Sequence, residues 1–494
     1  MESGSVIRLS LAGLRQQKAG YVEIPATPIL PSGGSAMADR DAHDFNIPQC
    51  PGDGVLDIWA RDNPPVPAMY KAESFTDLGP SSIEASRYTS DSFFAAEREK
   101  MWPRVWQMAA RDEEFPEPGD LVVYDNLGKS VILVRQPDRS VKAFWNVCLH
   151  RGRRLRTESG TANDLQCPFH GFTWNNDGSL KQIPCRWDFE HLTDEAMRLP
   201  EVQTASFAGY WFVNWDGTAP PLDQYLAPLP DHFARWGQER NYTAVWVGKV
   251  IKANWKAVAE AFMEAWHSVV THPQILPFTG DANSRYSLWG DHVNLALTPF
   301  GVPSPHLGAI PEEDIIDAFA GGAGRNNAEV APIILAPGQT ARQALGQRNR
   351  DALAALGYAE EAAGAADAEL LDAWTYNVFP NISPWGGYMS NISYRWRPWP
   401  DQHATLMEVR VLAKAPAGEP VPRGAEMIFL NEDEPWSSVT AWGRLGGVYD
   451  QDMANLPHVQ EGLVSSPNNR VELGRYQEAR IRHFHATLDK YLAR

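Results

Sequence analysis

Regular spacing of apolar and polar positions begins near residue 88. Residues 93–106 (FFAAEREKMWPRVW) place their large apolar side chains as a short amphipathic helix does, with an end near Pro103. Three runs rich in β-branched and aromatic residues follow: 121–126 (LVVYDN), 130–136 (SVILVRQ) and 140–148 (SVKAFWNVC). Turn residues separate them, so they read as strands. Within 165–184, Asn176-Asp177-Gly178 predicts a hairpin turn, because tight hairpins need residues that tolerate positive φ. Residues 210–217 (YWFVNWDG) supply a last strand. The pattern predicts a small all-β module over 88–218.

Past that module the texture changes. Residues 219–230 (APPLDQYLAPLP) are proline-rich and predict a linker. Strand character returns in 242–251 (YTAVWVGKVI) and again in 404–414 (ATLMEVRVLAK). Between these, 305–373 ends in an alanine-rich tract of high helix propensity. It reads as a helical insertion, either a surface excursion or a lid over an active-site mouth. In the tail, Leu473, Tyr476, Ile481, Phe484, Leu488 and Tyr491 recur at helical spacing and predict a terminal packing helix. Residues 51–87 together with 219–494 make the second, larger domain. Residues 1–50 show no periodicity and predict an arm, partly disordered or draped on a neighbour, with Met37 as a second candidate start.

Composition narrows the class. A chain of 494 residues exceeds one ordinary core, and 44% hydrophobic with 21% charged residues is a globular balance. Nineteen tryptophans predict wide aromatic packing or large apolar cavities. A formal net charge of −17 argues against nucleic acid as a partner. No run of apolar residues is long enough to predict a transmembrane helix, and Arg8 and Arg15 break any signal-peptide pattern. The cysteines are Cys50, Cys148, Cys167 and Cys185, too few for a disulfide framework, which points to a reducing cytoplasm.

The chemistry concentrates in residues 148–170 (CLHRGRRLRTESGTANDLQCPFH). Cys148-Leu149-His150 and Cys167-Pro168-Phe169-His170 each supply one cysteine and one histidine, with sixteen residues between them. A Rieske 2Fe-2S cluster needs this set: two thiolates on one iron and two imidazoles on the other. Zinc accepts the same four ligands, but its usual spacing groups cysteines on one arm and histidines on the other. The alternation favours the cluster.

A second stretch, 253–274 (ANWKAVAEAFMEAWHSVVTHPQ), carries Glu260, Glu264, His267 and His272. Catalytic non-haem iron(II) takes two imidazoles and one carboxylate, leaving positions open for oxygen. Five residues apart on one helix, His267 and His272 would diverge by about 140°. Pro273 disfavours helical geometry at His272, so the helix is expected to end between the two histidines. Unrelated histidines near a helix end remain the plain alternative.

Together the two stretches, Cys-x-His…Cys-x-x-His and then Asn-Trp-Lys-x-x-x-Glu-x-Phe-x-Glu-x-Trp-His-x-x-x-x-His, resemble the catalytic α subunit of Rieske non-haem iron oxygenases, the ring-hydroxylating family. The resemblance implies an α+β fold: a small all-β Rieske domain plus a catalytic domain of antiparallel sheet wrapped around helices, of helix-grip type. It implies one Rieske 2Fe-2S cluster held by Cys148, His150, Cys167 and His170. One mononuclear iron(II) would be held by His267 and His272, with O2 as co-substrate. In 448–463 (VYDQDMANLPHVQEGL), Asp452 stands in the family's register to Val459-Gln460 as third ligand, and Asp450 is its rival. The family's bridging carboxylate, commonly aspartate, would be Glu264 here, with Glu260 as a substitute above it on the helix.

The resemblance also implies partners: a ferredoxin or an NAD(P)H-dependent reductase, a head-to-tail homotrimer and a possible small β subunit. Lys142, Arg151, Arg153, Arg154 and Arg156 form a basic cluster that could dock an acidic ferredoxin or serve the cluster loop itself. Apolar stretches 295–300, 379–389 and 393–399 predict a pocket for an aromatic or polycyclic substrate, without a membrane or nucleic-acid role. Three readings follow: an aromatic ring-hydroxylating dioxygenase component, a monooxygenase or dealkylase of the same family, and a non-enzymatic Rieske electron carrier fused to a ligand-binding domain.

Overall fold

A computed structural model describes residues 50–494 except 73, 323–332 and 389–391. The predicted arm and Met37 lie outside the described residues, Cys50 apart.

The predicted entry helix spans Asp91–Ala96, loosens into a π-turn over Glu97–Met101 and ends in a 3-10 turn containing Pro103. The predicted strands then form an antiparallel seven-stranded sheet in the order 107–111, 210–214, 201–207, 141–145, 129–135, 120–126 and 160–161. Side chains alternate across it. Val131 and Leu133 face the core shared with the second domain, while Ile132 and Val134 face the core under the cluster loops. A three-stranded sheet (165–166, 173–174, 180–182) carries the second loop. Its turn depends on Gly178: φ is +83°, and a Cβ would meet the Phe144 ring at 2.4 Å.

The second domain is an eight-stranded sheet in the order 285–289, 293–298, 373–378, 382–386, 392–398, 405–414, 241–251 and 428–430. It is antiparallel except for the last pair, where 428–430 runs parallel to 241–251. The helices Trp255–Glu260, Leu445–Val464 and Ala479–Leu492 pack against this sheet. One apolar cluster joins the two domains, uniting Val105 and Val131 with Trp255, Trp396 and Phe484. The fold is α+β with the sheet gripping its helices.

Three expectations need correction. The proline-rich 219–230 is no loose linker: it folds into the short helices Leu222–Tyr225 and Leu229–Phe233. Leu222, Tyr225, Leu226 and Leu229 sit at helical spacing and are buried, while the prolines stand at the amino ends where helices accept them. The terminal helix begins at Ala479, not at Leu473, because Glu478 and Arg482 bind the backbone of Gly474 and hold the preceding turn. The insertion is not a mere excursion either. Its segment Asp367–Leu371 is wholly buried, and Ile315, Phe319 and Leu345 pack on Phe278.

Candidate metal centres and substrate cavity

The two cluster loops are built alike. Cys148 N–H donates to Arg153 O (2.7 Å) and Cys148 O accepts from Gly152 N (2.9 Å). Cys167 N–H donates to Phe172 O (2.8 Å) and Cys167 O accepts from Gly171 N (3.0 Å). Gly152 and Gly171 both take φ of +76°, the left-handed conformation that lets each tight turn close over its ligands. The His150 and His170 rings lie 4.7 Å apart, and His150 stacks on Phe172 at 4.5 Å.

The electrostatics of these loops suit the cluster. Burial, with Cys167 beside it, pushes the Cys148 thiol up, so two adjacent thiolates call for a positive partner. Burial, His170 and Arg151 push His150 down, which keeps the ring neutral as a ligand must be. Its Nδ1 is buried with no hydrogen-bond partner, an orphaned ligand atom that an iron would satisfy. Backbone N–H groups of His150 and Arg151 point at the Cys148 sulfur, the type of contact that tunes a cluster's potential.

The second centre is assembled across the fold. Asn254 caps the helix Trp255–Glu260, which stops at Ala261, and the chain runs through turns before a single helical turn, Ser268–Thr271. His267 precedes that turn and His272 ends it with φ −127° and ψ 56°, the break that Pro273 demands. Both Nε2 atoms point at Asp452 Oδ1, at 3.7 Å from His267 and 2.8 Å from His272. Asp452 lies on the long helix Leu445–Val464, whose Gln460 Oε1 accepts from Asn254 N at 2.8 Å. That bond ties the carboxylate's helix to the start of the histidine segment.

Behind the ligand set, His267 Nδ1 donates to Glu264 Oε1 (2.6 Å), and His267 N donates to Glu264 Oε2 (3.0 Å). Burial works against a charged His267, but Glu264 and Asp452 outweigh it and lift the imidazole to about 9. A place that favours positive charge between two imidazoles and a carboxylate fits a divalent iron. Glu260 is not above His267, because the helix does not continue. It accepts from Tyr88 Oη at 2.8 Å and pairs with His485 Nε2 at 2.8 Å. Asp450 turns away to accept from Trp436 N (2.6 Å) and Ser437 N (3.2 Å). Sequence reasoning missed Gln451 and Gln274, which stand behind His272: its Nδ1 lies 2.9 Å from Gln451 Oε1, and Gln274 Nε2 donates to the same oxygen at 2.7 Å.

The candidate ligand set opens on a cavity of about 190 Å³. Phe262, Phe278, Phe300, Trp385, Tyr394 and Tyr449 wall it, and among the described residues no lysine or arginine lines it. The stretches expected to be apolar contribute Thr298, Phe300, Trp385 and Tyr394. Phe278 and Phe300 also pack against the helical insertion. Among the described residues no helix is long and apolar enough to cross a membrane.

Known proteins show the same two units. The Rieske [2Fe-2S] domain model matches residues 105–194, and the model of the ring hydroxylating alpha subunit (catalytic domain) matches residues 233–494. The carnitine monooxygenase oxygenase subunit of Acinetobacter baumannii is 31% identical over 197 residues, 38% of this chain and 51% of that protein. The large oxygenase component of the naphthalene 1,2-dioxygenase system of Pseudomonas putida is 36% identical over 199 residues, 38% of this chain and 43% of that protein. The matched part thus spans about half the length of these curated relatives or less. Two solved structures share the fold. One is a quaternary ammonium Rieske monooxygenase with L-carnitine (TM-score 0.56, 19% identity, 83% of this chain and 95% of that chain). The other is naphthalene 1,2-dioxygenase from Rhodococcus sp. with indole (TM-score 0.59, 21% identity, 83% of this chain and 94% of that chain).

Proposed function

Since this chain belongs to the ring-hydroxylating oxygenase α-subunit family, with a Rieske [2Fe-2S] domain ahead of its catalytic domain, we propose that it hydroxylates a hydrophobic aromatic or polycyclic substrate with O2. The observation that carries this reading is the convergence of His267, His272 and Asp452 within 4.8 Å at an aromatic-walled cavity. Cys148 and Cys167 would hold one cluster iron, His150 and His170 the other, and His267, His272 and Asp452 the mononuclear iron. When bound, the cluster supplies single electrons and the mononuclear iron supplies a place for O2 beside the substrate.

The chain's own residues do the rest. Glu264 fixes the His267 ring so that Nε2 faces the site, as outer carboxylates do behind metal-binding histidines. The aromatic walls orient the substrate and exclude water. Among the described residues no lysine or arginine lines the cavity to pair with a carboxylate, which favours an uncharged substrate.

Electrons come from a ferredoxin or an NAD(P)H-dependent reductase in the cytoplasm. A head-to-tail trimer, with a possible small β subunit, brings one chain's cluster against the next chain's Glu264. Exposed apolar side chains support this contact: Phe169 and Trp187 by the cluster loops, Trp266 beside the second centre. The basic cluster is partly used internally, since Arg154 pairs with Asp125, Lys142 with Glu201, Arg153 with the Arg154 carbonyl, and Arg151 lies over the Phe169 ring, so ferredoxin docking falls chiefly to Arg156.

A second reading has its own support. Aromatic faces at an acidic site also suit a cationic ammonium group, and some relatives are named as carnitine monooxygenases. In that reading the chain oxidises a methyl or amine carbon. Turnover with a reconstituted reductase under labelled O2, against polycyclic hydrocarbons and quaternary amines, separates the readings. Two labelled oxygens on vicinal ring carbons mean dihydroxylation, one label on a cleaved alkyl group means dealkylation, and reduction of the cluster without oxygenated product leaves only an electron carrier.

A further inference from the structure

The two histidines of the second centre are supported by different chemistry. Behind His267 stands a carboxylate, Glu264, at 2.6 Å from Nδ1. Behind His272 stands an amide, Gln451, whose Oε1 lies 2.9 Å from Nδ1. That amide is itself held, because Gln274 Nε2 donates to the same oxygen at 2.7 Å and Gln451 Nε2 reaches back to Gln274 Oε1 at 3.4 Å. With Nε2 of His272 committed to a metal, Nδ1 carries the proton and needs an acceptor. Gln451 provides one only if its oxygen, and not its NH2, faces the ring. A donation from Gln274 to that oxygen matches this orientation.

We infer that Gln451, oriented by Gln274, is a positioning residue that locks His272 for metal binding with a neutral acceptor. The inference rests on the proposed mononuclear metal site. Its physical content is charge. Asp452 and Glu264 already set two negative charges against a divalent ion, so a third carboxylate behind His272 would hold the ion at least as tightly but leave the site net negative. A neutral amide fixes the ring without adding charge. Gln451 also adjoins Asp452 on one helix, so a single element delivers both the ligand and the support of its neighbour.

The test uses the full chain with its cluster intact and its mononuclear metal removed, titrated with cobalt(II). Affinity is read by calorimetry, and the cobalt environment by its electron paramagnetic resonance signal. Gln451→Leu is expected to weaken cobalt binding about 10- to 100-fold, the range for lost outer supports of metal ligands, and to alter the resonance. Gln274→Leu should weaken it less. Gln451→Glu, which keeps the acceptor and adds charge, should restore or exceed wild-type affinity with a shifted resonance. Cluster absorbance and melting temperature monitor the fold in each variant. If Leu at 451 binds cobalt as the wild type does, or Glu binds no better than Leu, the inference fails while the metal site stands. A wild type that takes up no cobalt sinks both.

Discussion

The cluster loops and the second centre are built on opposite plans. The first gathers its four candidate ligands within residues 148–170, on two turns with matching backbone bonds and matching left-handed glycines. The second joins a broken helix near residue 270 to a long helix near residue 452, and the bond from Asn254 to Gln460 spans 206 positions. A local site is fixed by turn geometry, whereas a dispersed one is fixed by packing and by hydrogen bonds between distant elements. The first should fail through its backbone and the second through its side-chain supports.

The largest effect tests their independence. His267→Ala should abolish turnover, because a lost ligand removes the metal that brings O2 and substrate together. Its cluster absorbance should remain intact, read by visible spectroscopy beside product formation. The reciprocal change, Cys167→Ser, should erase the cluster spectrum and turnover while leaving cobalt binding at the second centre. Next, Glu264→Gln keeps length and an acceptor but loses charge. Steady-state kinetics should then fall about 10- to 100-fold with metal content retained.

Smaller changes probe the backbone of the local site. Gly152→Ala imposes a side chain at φ +76° and should cost about 1–2 kcal/mol, visible as a lower melting temperature together with faster cluster bleaching. An equivalent strain in the helix Leu445–Val464 should spare the cluster.

How much of this was legible follows from the same contrast. Cys148, His150, Cys167 and His170 are neighbours in sequence, so alternation and spacing are enough to propose their chemistry. His267 and His272 were half legible: Pro273 announced the break, but helix arithmetic set Glu260 over His267 when the helix in fact stops at Ala261. Asp452 could be reached only by register to Val459-Gln460, and Gln460 has a physical reason to sit there, since it anchors the helix to Asn254. The Gln451–Gln274 pair left no signal, because its partners lie 177 positions apart and carry no charge or periodicity. Residues 219–230 look like a linker because prolines break helix interiors, whereas Leu222, Tyr225, Leu226 and Leu229 hold helical spacing and the prolines sit at the helix starts.

The mildest effect concerns those same residues. His232 on the second short helix pairs with Tyr376 Oη at 2.8 Å, and His292 stacks on Tyr225 of the first at 3.6 Å. Burial, stronger than the opposing pull of Asp231 and Asp291, pushes both imidazoles down to about 4. A depressed histidine binds its proton more readily unfolded, so its stabilising contribution is whole above the ordinary value of about 6.5 and fades as pH falls toward 4. The melting temperature should therefore drop between pH 7 and pH 4, and His232→Phe should flatten part of that slope.

The central claim is that one chain carries two separate iron stations. Iron and acid-labile sulfide, counted per chain in anaerobically purified protein beside the His267→Ala variant, test it most directly. The account predicts about three irons and about two sulfides, falling to about two irons in the variant with sulfide unchanged. Zinc between the Cys-His arms, or an iron content that the variant leaves untouched, would contradict it.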